Sequence, residues 1–411
     1  MGRKNLIPRV VLAVVTTACG GESSPSTAPT VSIEDGVRVV ENHAPAWGEG
    51  EAWQIAAEPT LTIGADIGEE WQMLTYPEAD RLSNGRIVVR DRMARMIRWY
   101  LPDGTHLASD GGEGEGPGEF ASVWNLEVAP DDHVIVYDPQ LQRHTRFDER
   151  ADLVGTLRLE DHEMPYWSGR VIGMFRDGSL LVRAGRQLTA RSWLDLPENT
   201  IGWYTDGLFR YDPEGGSPRL LGEFEAFEST SREGQNIAFQ AMGQFAPHRD
   251  GFCHANAREF EIRCYDTEGA LVRRIRWPGE PTPISEQDRE RYIEKSRENV
   301  GNRSDGERWI RETVWPETTP VLHALLVDDL GNIWAERHIG LLHTYPVNMG
   351  TGLFIPDASP WEVFDPDGTW LGRIDLPPGR APQRIGDDWI LLAGEDDAGV
   401  AHVWLYDLIK P

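Results

Sequence analysis

An aromatic residue followed by aspartate closes one short β-like run after another along this chain. The copies are Phe147-Asp148, Tyr211-Asp212, Tyr265-Asp266, Phe364-Asp365 and Tyr406-Asp407, with Trp99-Tyr100 before Leu-Pro-Asp-Gly as a degenerate sixth. Ahead of each lies a polar turn and an apolar run. Asn84-Gly85 precedes Ile87-Val88-Val89, Asp131-Asp132 precedes Val134-Ile135-Val136, and Asp177-Gly178 precedes Leu180-Leu181-Val182. Asp250-Gly251, Gly331-Asn332 and Asp387-Asp388 head the other three runs. Such turn pairs tolerate positive φ and are the strongest short-range hairpin signals. Each unit therefore reads as four antiparallel strands. A lone unit cannot bury both faces of its sheet, so a run of them must close into a ring.

The closure is legible too. The last unit ends at Pro411 after its third strand, and Pro59–Gly64 near the start reads as an orphan fourth. The fold expected is an all-β, six-bladed β-propeller closed by that N-terminal strand. Two units carry long hairpin loops, between Arg183 and Leu208 and between Glu336 and Ser359. An insertion at 284–315 separates the fourth and fifth blades, and Ser285 followed by acids and good helix formers predicts one or two helices there.

The first residues read as a targeting segment. Arg3, Lys4 and Arg9 precede an apolar run, Val10–Val15, too short to span a bilayer. Small residues lead to Cys19, in the manner of a bacterial lipoprotein signal whose cysteine is acylated, although Thr16 stands where Leu is usual. Ordinary cleavage with loss of the cysteine is the alternative. The expected organisation is a signal peptide at 1–18, a lipid-anchored flexible tether at 19–50, and a propeller at 51–411. The location implied is the cell envelope, with the membrane reached only through the lipid. Cys253 and Cys264 are then an even pair, on two β-like runs across a short polar turn, and a cross-strand disulfide is expected.

The net charge of −27 excludes a nucleic-acid partner, because the dominant attraction to phosphate has the wrong sign. The string Gly114-Glu115-Gly116-Pro117-Gly118-Glu119-Phe120 lacks the Lys-Ser/Thr and following helix of a phosphate-binding loop and reads as an inter-blade turn. With the Asp-Gly turns and the aromatic-Asp strand ends, it resembles bacterial six-bladed propeller lipoproteins related to NHL-repeat proteins, over roughly residues 50–411. The resemblance implies the fold and export. It does not imply an activity, since one fold hosts many functions.

In a propeller the innermost strands begin at the mouth that also receives the long loops. Aligning the units on their turns places Glu78, Asn125, Arg170, Gln244, His323 and Gln383 there. The set is polar and mixed, as suits hydrogen bonding to a ligand or a water-filled channel. His323, His338 and His343 of the fifth unit are the candidates for a divalent metal, without an H-x-x-x-H or H-E-x-x-H motif. No cofactor is predicted beyond that option. Two functions remain open. One is a monomeric binding or scaffold module for a protein, peptide or glycan. The other is a metal-assisted, lactonase-like hydrolase or lyase acting at the same mouth.

Overall fold

A computed structural model describes residues 28–64, 68–158, 169–185, 200–212, 217–230, 235–300, 306–339 and 359–411. Six antiparallel sheets follow one another around a central axis. Blade 1 comprises Glu78–Arg81, Ile87–Asp91, Met96–Tyr100 and His106–Gly111. Blade 2 comprises Asn125–Val128, Val134–Asp138, Arg143–Phe147 and Leu153–Leu157. Blade 3 has longer outer strands: Arg170–Met174, Leu180–Gly185, Ile201–Tyr211 and Arg219–Thr230. Blade 4 is Gln244–His248, Gly251–Ala255, Glu261–Asp266 and Leu271–Arg276. Blade 5 is Leu322–Val327, Ile333–Arg337, Ser359–Phe364 and Trp370–Leu376. Blade 6 has three strands of its own, Arg380–Ile385, Trp389–Glu395 and Ala401–Ile409.

The missing fourth strand comes from the N-terminal segment. Leu61–Ile63 runs antiparallel to the last strand, with Leu61 opposite Leu405, Thr62 opposite Trp404 and Ile63 opposite Val403. Ile63 is fully buried among Leu391, Ala393, Val403 and Tyr100, which spans the seam between blades 6 and 1.

The recurring aspartates have a common role. Oδ1 of Asp148 accepts the N–H groups of Arg150 and Asp152. Asp266 does the same for Glu268 and Ala270, and Asp365 for Asp367 and Thr369. The carboxylate pins the turn to the outer strand, while the preceding Phe147 or Phe364 is buried between blades. Cys253 and Cys264 lie opposite each other and form a disulfide, with Cα atoms 4.1 Å apart. The insertion is helical over Glu286–Val300 and Gly306–Arg311. Its Ser285 Oγ accepts the Asp288 N–H, and Asp288 returns a bond to the Ser285 N–H. In the Gly114–Phe120 connector, Arg143 donates to the carbonyls of Glu115 and Glu119, and Phe120 is buried.

Residues 30–50, left in the tether by the sequence reading, are instead structured as a strap. Thr30–Glu34 and Val37–Glu41 form a hairpin, and its second strand pairs parallel with the outer strand of blade 4. The alternating Val-Arg-Val-Val pattern buries Val39 and Val40 there. The Asn42 side chain then donates to the carbonyls of Arg276 (3.1 Å) and Gly368 (3.0 Å) and accepts the Trp370 N–H at 2.8 Å, stitching blade 4 to blade 5. Ala46 and Trp47 donate to Trp370 and Leu371 on the outer edge of blade 5. Gly372 leaves room for the Trp47 ring, which a Cβ there would meet at 2.4 Å. Gln54–Ile55 and Leu61–Ile63 finish along blade 6. One segment thus covers the outer edges of three consecutive blades.

Candidate functional site: the channel mouth

The innermost strands of blades 1 to 4 start at or beside the nominated residues. Glu78, Asn125, Arg170 and Gln244 are the first residues of their strands, and His323 is the second of its own. Gln383 is the fourth residue of its strand, at the bulge between Pro382 and Arg384.

Several of these side chains link neighbouring blades. An innermost strand has no sheet partner on its axial side, so its backbone groups must bond otherwise. Gln383 Oε1 accepts the Ala79 N–H across the seam at 3.3 Å. Glu78 accepts the Leu126 N–H of blade 2 and pairs with Arg90 Nε at 2.8 Å. Asp80 accepts the Val128 N–H in the same way. Gln244 folds back to the Met242 carbonyl at 2.9 Å. Glu78, Gln383 and Gln244 are therefore engaged within the protein.

Side chains absent from the sequence reading join them. Asp80 and Glu127 stand two residues beyond Glu78 and Asn125, and the period of a strand turns them the same way. Arg384 Nη2 pairs with Asp329 at 2.6 Å and its Nε lies 3.9 Å from Asp80. Burial, opposed by Arg384, pushes the Asp80 carboxyl up to about 6. Burial, then the charges of Glu78 and Asp80, raises Glu127 well above the usual carboxylate range. Burial, then neighbouring Arg183, lowers Arg170. Arg183 itself is held by Asp206 at 2.5 Å and covers the Phe245 ring at 4.4 Å. Glu127 and Arg170 share the channel across blades 2 and 3, and among the described residues neither makes a hydrogen bond or ion pair with the protein.

The histidine proposal is only partly placed. The rings of His323 and His338 lie 6.5 Å apart, while His343, like Cys19, falls outside the described residues. Among the described residues, no three His, Cys, Asp or Glu side chains come together in a way that would hold a metal ion. Nor is any helix among them long and apolar enough to cross a membrane.

Away from the channel, a cavity of about 830 Å³ opens between blades 2 and 3. Its floor includes Ile135, Leu157, Met174 and Leu180, and Arg146, Arg210 and Glu268 stand at its rim. It borders the turns Asp131-Asp132 and Asp177-Gly178, so it opens at the opposite face from the mouth.

No protein-family model and no curated protein sequence matches the chain. Solved structures resemble it. A member of the DUF4221 family from Bacteroides vulgatus aligns over 88% of this chain and 99% of its own, at 10% identity and a TM-score of 0.51. A gluconolactonase from Xanthomonas campestris aligns over 82% of this chain and 87% of its own, at 15% identity and 0.42. A virginiamycin B lyase from Staphylococcus aureus aligns over 87% and 100%, at 12% and 0.42. At these identities the likeness is one of fold, the β-propeller, and it carries no activity across.

Proposed function

We propose that this protein is an exported, lipid-anchored binding module that takes a polar ligand, an extended peptide or a glycan, at its channel mouth. The observation that carries this reading is the pair Glu127 and Arg170. They are an acid and a base on adjacent blades, and among the described residues neither makes a hydrogen bond or ion pair with the protein. Both are half-buried in the channel, where a ligand bearing an acceptor and a donor would match both. Glu78 and Gln383 beside them are tied into inter-blade bonds, which stiffens the frame around the pair. The apolar run before Cys19 and the Cys253–Cys264 disulfide support export.

The test is a glycan array and a random-peptide library screened against the protein, followed by calorimetry of the hits. A ligand held at the mouth should lose about tenfold or more in affinity on Arg170→Gln and on Glu127→Gln, with unfolding midpoints preserved. Hits indifferent to both substitutions would remove the mouth as the site. Membrane fractionation of Cys19→Ser tests the anchor: retention of the mature protein in the membrane fraction would contradict it.

A further inference from the structure

The strap shows how this propeller treats an outer edge. An outermost strand exposes a row of unpaired N–H and C=O groups, a template for another strand. On blade 4 the protein supplies that strand itself, parallel, with Val39 and Val40 driven into the sheet flank. Blades 5 and 6 are bonded along their edges by the same segment. Blade 3's outer strand carries Arg219, Glu223, Glu225 and Glu228, and its far half is bonded by Ala241 and Gly243. Blade 1's edge includes Asp110.

Among the described residues, blade 2 has none of these devices. Its outer strand is Leu-Val-Gly-Thr-Leu, without a charge, and pairs among the described residues only with Arg143–Phe147. Leu153 and Val154 are 38% and 54% exposed. Beside this edge lies the 830 Å³ cavity, with Val154–Leu157 as one wall and an apolar floor. At its rim, Arg146 Nη2 pairs with Asp131 at 3.1 Å. We infer that blade 2 binds an extended segment of a partner protein as a fifth strand, parallel to Leu153–Leu157. Aliphatic side chains of that segment enter the cavity against Ile135, Leu157, Met174 and Leu180. The arrangement repeats on blade 2 what Val37–Glu41 does on blade 4. A chain with a net charge of −27 selects a segment with Lys or Arg beside the aliphatic residues.

The probe is a labelled, blocked hexapeptide, Lys-Val-Arg-Val-Val-Lys, patterned on the strap and titrated by fluorescence anisotropy. It should bind with a Kd below about 1 mM, the weak end of specific recognition. Gly155→Phe tests the cavity. A Cβ at Gly155 meets no atom within 4 Å, so the ring enters open space without disturbing the fold. Val154→Lys charges the edge in the way natural edges are blunted. Each should weaken the probe by about tenfold or more at an unchanged unfolding midpoint, and amide exchange at 153–157 should slow in the wild-type complex. Arg170→Gln should leave the probe unaffected, which separates this surface from the channel mouth. Absence of binding up to about 1 mM, equal binding to Gly155→Phe, or protection elsewhere would overturn the assignment.

Discussion

Replacing Ile63 by alanine tests ring closure at its narrowest point. The side chain is fully buried on the borrowed strand, opposite Val403, and touches residues of both the first and the last blade. The substitution removes three carbons. At about 0.8 kcal/mol each, the lost transfer energy is about 2.4 kcal/mol. A remnant cavity of some 60 Å³ at ~24 cal/mol per Å³ adds about 1.5 kcal/mol. The total is about 4 kcal/mol. Ile33, 68% exposed on the first strand of the strap, is the control, and Ile33→Ala should stay within about 0.5 kcal/mol. Guanidinium unfolding followed by tryptophan fluorescence measures both. With a slope of roughly 5 kcal/mol per M, Ile63→Ala should lower the midpoint by about 0.8 M at an unchanged slope. Equal midpoints for the two variants would mean that the N-terminal strand adds nothing to the core, and the closure argument would fall.

Asn42→Ala leaves the Gly368 carbonyl and the Trp370 N–H without their side-chain partner, so it should cost about 3 kcal/mol and speed proteolysis of residues 30–56; unchanged cleavage would refute the stitching role. Acid should act through opposed groups. Burial lowers His144 and His254 to about 4, so the stability that depends on their neutrality is complete above about 6.5 and fades as pH falls toward 4, by about 3 kcal/mol each. Asp80 works the other way. Its folded value of about 6 lies above the unfolded value, so protonation between about 6 and 4 favours the fold. Asp80→Asn should therefore steepen the loss of stability between pH 6 and 4, and a midpoint-against-pH slope matching the wild type would show that Asp80 contributes nothing.

The blade pattern was legible because one local device recurs. The aspartates after Phe147, Tyr265 and Phe364 each close a turn with their own carboxylate, a bond among residues two to four apart that the sequence displays directly. The Cys253–Cys264 pairing was legible for the same reason, since the two strands are joined by a short turn. The strap was not. Its partners lie hundreds of residues away, and Trp47 and Asn42 acquire meaning only beside Gly372 and Gly368. At the mouth, counting from the turns found strand starts such as Glu78 and Arg170, but the blade 6 strand begins at Arg380, three residues before Gln383, and Arg384 went unnoticed. Asp80 and Glu127 follow from the two-residue period of a strand applied to Glu78 and Asn125, a step the alignment of turns does not take. The cavity between blades 2 and 3 arises where two flanks fail to fill the space between them, which no local pattern encodes.

The bond from Thr60 to Leu405 joins residues 345 positions apart, and it has a bearing on biosynthesis. The strand Leu61–Ile63 cannot dock until residues 403–405 have been made. Until then the seam between blades 6 and 1 is open and the circle is a horseshoe, a state prone to clumping with other copies. A chain that must cross a membrane before folding gains from this, because it cannot lock prematurely. The same dependence makes a truncation of ten or so C-terminal residues far more damaging than its size suggests.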